Sequence, residues 1–171
     1  MRVDKESIVH PIAPVYDKNS RILILGSFPS VLSRKEGFFY GNPQNRFWAV
    51  MAAVLDTELP QTVEEKKTML LEGRVALFDA AKACRIRGSA DATMTDAVPA
   101  DLSPILRAAD IRRVFVNGRQ AERIMKETGI ETEYLPSTSP ANARMNLTRL
   151  VAVWKEKLDP YLLENKESRR K

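Results

Sequence analysis

Short apolar runs alternate with amphipathic stretches along the chain. Arg21–Leu25 (RILIL) is an apolar run that enters the turn Gly26-Ser27-Phe28-Pro29-Ser30, and it predicts a buried strand ending in a loop. Arg74–Asp79 (RVALFD), Arg112–Asn117 (RRVFVN) and Glu131–Leu135 (ETEYL) predict three more strands. Helices are expected between them. One covers Asn45–Leu55, and a second starts at Thr62, whose hydroxyl forms a capping-box pattern with Glu65, and stops at Gly73. Further helices are expected at Asp101–Ala108, at Gly118–Thr128 with a stop at Gly129, and at Asn146–Leu158. In the last, Leu147, Leu150, Val151, Trp154 and Leu158 share one face. Arg85–Asp96 reads as a polar loop. Strands that alternate with helices and are apolar throughout imply a mainly parallel four-stranded sheet covered on both faces. The expected fold is a three-layer α/β/α sandwich.

No repeat or Pro/Gly/Ser linker divides the sequence, and 171 residues suit one compact domain. A single domain over 1–171 is expected, with its core at about 7–158 and a basic tail at 159–171. The lone Cys84 excludes an internal disulfide framework and is expected to be a small core residue. With His10 the only histidine, no Cys/His metal site is expected. No basic-then-apolar leader opens the chain, and no apolar run approaches the roughly 20 residues that span a bilayer. A soluble cytoplasmic protein without a membrane partner is the expectation. Lys and Arg total 27 against 22 acids, which favours a polyanionic partner without naming one.

Parallel α/β sheets bind ligands outside the carboxyl ends of their strands. That rule nominates residues 26–30, 79–91, 117–119 and 136–144. The stretch Phe38–Trp48 adds five aromatics and three side-chain amides in eleven positions, the mixture that stacks a planar ligand and bonds its edge. Phe47 and Trp48 are assigned to the core as the first turn of a helix, and Phe38, Phe39 and Tyr40 are expected to be exposed at a site. Asn45 serves equally as a helix cap. Asp79 is a candidate carboxylate, or a partner for neighbouring backbone amides. His10, in an irregular N-terminal segment, is a poor candidate for a general base. Gly26–Ser30 has neither the Lys of a phosphate-binding loop nor dinucleotide glycine spacing, so neither ATP nor NAD is implied.

GSFPS (26–30), YGNPQNRFW (40–48), CRIRGSAD (84–91), VNGR (116–119) and LPSTSPANAR (135–144) together resemble the uracil-DNA glycosylase superfamily, and more narrowly its hypoxanthine-DNA (deoxyinosine) glycosylase branch. The resemblance implies a monofunctional enzyme in base-excision repair. Such an enzyme flips a deaminated base out of DNA and hydrolyses its N-glycosidic bond without a cofactor or metal, leaving an abasic site. A monomer is expected, nucleoid-associated if the source is bacterial. Cleaving that bond develops an oxocarbenium-like sugar, so the attacking water needs placement more than activation. GSFPS offers no carboxylate or carboxamide, and the resemblance moves the catalytic amide to Asn45.

By the same likeness the Ser27 and Phe28 backbone amides face the base. Phe28 stacks on it, Phe39 or Tyr40 lies on its other side, and Asn42 meets its edge or the water. Asn42 stands where family members commonly carry His. Ser137, Thr138 and Ser139 resemble a phosphate-gripping loop, and Asn142, Arg144 and Met145 lie where relatives insert a side chain into the vacated stack. Ser89 and Arg119 are further DNA contacts. Uracil, xanthine or mismatched thymine as substrates, a non-catalytic binder of damaged DNA, and a hydrolase of free nucleosides stay open as alternatives. A plain capped turn is the alternative for 136–144, and a helix start for Ser89 with Asp91.

Overall fold

A computed structural model describes residues 6–86 and 94–169, with side chains described for 7–86 and 94–162. Seven strands and six helices follow one another among these residues: β1 (Glu6–Val9), β2 (Ile22–Gly26), α1 (Val31–Glu36), α2 (Phe47–Leu55), α3 (Val63–Glu72), β3 (Val75–Asp79), β4 (Ala81–Ile86), β5 (Thr95–Pro99), α4 (Ser103–Ala108), β6 (Arg113–Asn117), α5 (Arg119–Lys126), β7 (Glu133–Leu135) and α6 (Leu147–Arg169). The four expected strands form one parallel sheet in the order β3-β2-β6-β7. β2 is central, and each of its residues is buried because both sheet faces are covered.

Side chains alternate along β2 between two cores. Ile22 and Ile24 join Phe47, Met51, Leu70, Phe115 and Trp154 on the face covered by α2, α3 and α6. Leu23 and Leu25 join Cys84, Ile105, Val116, Ala121 and Met125 on the opposite face, beneath α4, α5 and part of β4. Cys84 is 2% exposed, as a small core residue should be. The three-layer α/β/α arrangement is therefore present.

A second, antiparallel sheet, ordered β1-β4-β5, was not expected. Arg85–Asp96 is not one polar loop, because Arg85 and Ile86 close β4 and Thr95 and Asp96 open β5. Two register shifts between β4 and β5 break the alternation that would have revealed a half-buried strand. Helix α1 was also missed. Ser30 Oγ caps it by accepting from Ser33 N, and Gly37 ends it at φ 77°, a left-handed conformation that glycine adopts without strain. Helix α6 continues past Leu158 through Pro160 and buries Leu162 in the first core.

The parallel sheet has its switch point at β2. The chain proceeds from β2 to β3 on one side, and β6 and β7 fill the other. Loops diverge there and leave a crevice at the carboxyl ends of β2 and β6.

Candidate active site

The crevice holds a cavity of about 490 Å³, lined by Gly26–Ser30 after β2, Asp79 at the end of β3, Asn117–Gln120 after β6 and Ser137–Asn142 after β7. Phe39, Tyr40, Asn42 and Asn45, ahead of α2, close it from the side. Its size falls within the roughly 300–1,000 Å³ typical of small-molecule pockets. Three of the four nominated segments contribute along their length. The fourth contributes Asp79, and its residues 87–91, including Ser89, lie outside the described residues.

One hydrogen-bonded network fixes the polar wall. Asn117 Nδ2 donates to the Tyr40 hydroxyl and to Thr138 Oγ1, each at 3.0 Å, and Asn117 Oδ1 accepts from Thr138 N at 3.1 Å. Thr138 Oγ1 in turn donates to Asn45 Oδ1 at 2.9 Å, which also accepts from Phe47 N at 2.9 Å. Asn45 is not the N-cap of α2, a position that Arg46 holds; it lies one residue earlier, where its carbonyl accepts from the first helical amide, and it stands at the cavity wall. Because its carbonyl takes both bonds, its amide NH₂ is left with no partner among the described residues.

Tyr40 adopts φ 52°, rare for a residue with a side chain, and stacks on Phe47 with ring centroids 4.1 Å apart. Its hydroxyl is pushed well above the usual phenol range, first by burial and then by the nearby Asp79; the Asn117 bond opposes both.

The expectation of exposed rings before Asn45 needs correcting. Phe38 and Phe39 are 4% and 2% exposed and belong to the first core. Phe38 stacks on Trp48, and Trp48 Nε1 donates to the Phe39 carbonyl, so the loop folds back over the helix it precedes. Phe39 still contributes to the cavity wall, as does Phe28, which is 6% exposed. The amides of Ser27 and Phe28 carry no hydrogen bond among the described residues. Asn42 lines the cavity while its Oδ1 accepts from Gln44 N.

The 136–145 loop is fastened by a residue that sequence reasoning passed over. Arg46 places its guanidinium against four carbonyls: Nε donates to Thr138 O at 3.4 Å, Nη2 to Ser139 O at 2.8 Å and Asn142 O at 3.0 Å, and Nη1 to Met145 O. From the other side Trp154 Nε1 donates to Pro136 O at 2.9 Å. Thr138 is fully buried, and its hydroxyl is turned into the network. Ser137 and Ser139 accept from loop amides and remain at the cavity with Asn142. Arg144 is exposed, and Met145 packs against the first core. Arg119 is exposed at the rim, with its guanidinium carbon 4.0 Å from the centre of the Tyr134 ring and a bond to Glu122.

His10 lies outside any strand, as expected, but its side chain has a partner to which the sequence did not point. It follows β1, and the β1–β4 pairing carries it to Asp79, where Nε2 lies 2.8 Å from Oδ2. Both side chains are buried, at 3% and 5% exposure. Burial raises the Asp79 carboxyl above the ordinary range, and the His10 bond only partly offsets this. No cluster of three or more His, Cys, Asp or Glu suited to a metal ion occurs among the described residues. No helix among them is long and apolar enough to cross a membrane.

The family model of the uracil DNA glycosylase superfamily matches residues 13–162. A hypoxanthine DNA glycosylase from Methanosarcina acetivorans is 37% identical over 140 residues, covering 79% of this chain and 89% of the relative. Its namesake from Methanosarcina barkeri is 33% identical over 137 residues, covering 77% and 86%. The solution NMR structure of a candidate uracil DNA glycosylase from M. acetivorans superposes with a TM-score of 0.72 at 32% identity, covering 88% of this chain and 98% of that one.

Proposed function

Because the chain belongs to the uracil-DNA glycosylase superfamily, we propose that it is a DNA glycosylase that extrudes deoxyinosine and hydrolyses the bond between hypoxanthine and deoxyribose. The observation that carries this reading is Asn45: a neutral amide at the cavity wall, clamped through its carbonyl, with its NH₂ unpartnered among the described residues. An N–H of that amide donates to a water and leaves a lone pair of the water free to meet the sugar's C1′. As the C1′–N9 bond breaks, positive charge grows on the sugar, so a positioned water suffices as nucleophile.

The Ser27 and Phe28 amides are the donors for electron density moving onto the base, in the manner of an oxyanion hole. The Phe28 ring supplies a stacking face. Base stacking on an aromatic is worth about 1–3 kcal/mol, which offsets much of the few kcal/mol spent on unstacking. Ser137, Ser139, Asn142, Arg144 and Arg119 are the groups for the DNA backbone and the vacated stack, with Met145 behind them.

The test is a base-release panel with inosine, uracil, xanthine and thymine, each in single-stranded DNA and opposite every partner. Free hypoxanthine with strand breakage only after alkali is the expected result; breakage without alkali contradicts simple hydrolysis. Asn45→Ala is expected to lose at least about 100-fold in single-turnover rate, the scale of a misplaced reactant, while DNA affinity holds.

A further inference from the structure

Asp79 is a carboxyl group whose surroundings the reading above leaves unused. It closes β3 at the cavity, 4% exposed, and only one of its two oxygens is engaged. Oδ2 accepts from His10 Nε2. His10 Nδ1 accepts from Ile12 N at 3.2 Å, which assigns the ring proton to Nε2. Three phenyl rings enclose the imidazole: Phe78, Phe28 and Phe39, with centroids 4.8, 5.6 and 6.1 Å away. Oδ1 has no hydrogen-bond partner among the described residues and lies beside Gly26, where an added Cβ would come within 2.5 Å of it.

A buried carboxylate ordinarily gathers two or three donors or a cation. Asp79 has one neutral donor. The other titratable side chain facing it, Tyr40, is held protonated, and Gly26 on β2 brings no charge. The arrangement therefore suits a protonated carboxyl with its acid proton on Oδ1. Such a group is of little use to a leaving pyrimidine anion and of direct use to a purine, whose N7 accepts a proton.

We propose that Asp79 is the general acid that protonates the departing purine, and that His10 is the positioning residue that turns its free oxygen toward the base. This rests on the glycosylase reading above. In the step, the C1′–N9 electron pair passes into the purine while the Oδ1 proton moves to N7, so the base leaves neutral. The water oxygen adds to C1′ and loses one proton to solvent, and the Asp79 carboxylate takes one back. The net reaction remains hydrolysis.

The test is single-turnover hypoxanthine release across pH by the wild type, Asp79→Asn and His10→Ala. Asparagine keeps the size of the side chain and an acceptor for His10, but it has no proton to give. General acid catalysis is worth about 10²–10⁴-fold, and Asp79→Asn should lose that much. The wild-type rate should fall tenfold per unit above the carboxyl's pKa, and the Asn variant should lack that descending limb. Removing the His10 donor takes away a bond that favours the charged form, so His10→Ala should move the limb to higher pH. A merely structural role would not shift it. Melting curves and DNA-binding anisotropy identify variants that fail to fold, and a His10→Met variant, which also lacks the donor, repeats the shift with a smaller change in packing. Release by Asp79→Asn within threefold of wild type, or a wild-type rate flat with pH, overturns the role of Asp79. No release by the wild type at any pH overturns the glycosylase reading instead.

Discussion

Thr138→Val isolates the link between the polar wall and Asn45. The substitution keeps shape and burial and removes one hydroxyl, which donates to Asn45 Oδ1 and accepts from Asn117 Nδ2. Both partners keep another bond, Asn45 from Phe47 N and Asn117 to Tyr40, so neither is orphaned. Two lost hydrogen bonds at about 1 kcal/mol each give about 1–2 kcal/mol of destabilisation. For a chain of this size that lowers the melting temperature by about 2–8 °C. The effect on rate is expected to be larger, because Asn45 then keeps one of the two bonds that fix its carbonyl. A displacement of about 1 Å in such a group costs on the order of 100-fold, so single-turnover base release should drop about 10- to 100-fold. Affinity for an inosine-containing duplex, read by fluorescence anisotropy, should stay within about twofold, because Arg46 still fastens the loop that carries the DNA-facing groups. An unchanged rate with a lowered melting temperature would show that Asn45 does not depend on Thr138. A rate loss matched by an equal affinity loss would place the effect in the loop.

Arg46→Lys retains the charge and loses the fork, and one ammonium cannot reach four carbonyls spread over eight residues. DNA affinity is expected to fall about tenfold and stability by about 2–3 kcal/mol, from bonds of about 1 kcal/mol each; wild-type affinity in this variant would refute the clamp. Gly26→Ala sets a methyl against Asp79 Oδ1 at 2.5 Å and the Tyr40 hydroxyl at 2.9 Å, so base release should fall at least about tenfold, with overpacking of about 1–3 kcal/mol in the melting curve. A fully active alanine variant with an unchanged melting temperature would show that Asp79 and Tyr40 are not held where the cavity needs them.

The parallel sheet was legible because β2, β3 and β6 are short apolar runs ending at turns and alternating with helices. The carboxyl-end rule then nominated the cavity segments before any side chain was placed. The second sheet was not legible. Lys82 and Arg85 interrupt β4, and its bulged pairing with β5 removes strict alternation. That omission hid His10, whose partner lies 69 residues along the chain and is reached only through the β1–β4 ladder. Phe38 and Phe39 read as loop residues and proved to be core, because a loop folding back on α2 leaves no local periodicity. Arg46 was not singled out, since carbonyl acceptors have no sequence signature. Asn117 sat within a nominated segment, and its side-chain amide at the end of an apolar strand was the signal that could have singled it out.

The fastening of the 136–145 loop has a consequence for how this scaffold can change. Arg46 and Trp154 grip main-chain oxygens of Pro136, Thr138, Ser139, Asn142 and Met145, atoms that every amino acid supplies. The curve of the ribbon is thus specified from outside, and what projects from its exposed positions, Arg144 among them, can be exchanged without reshaping the mount.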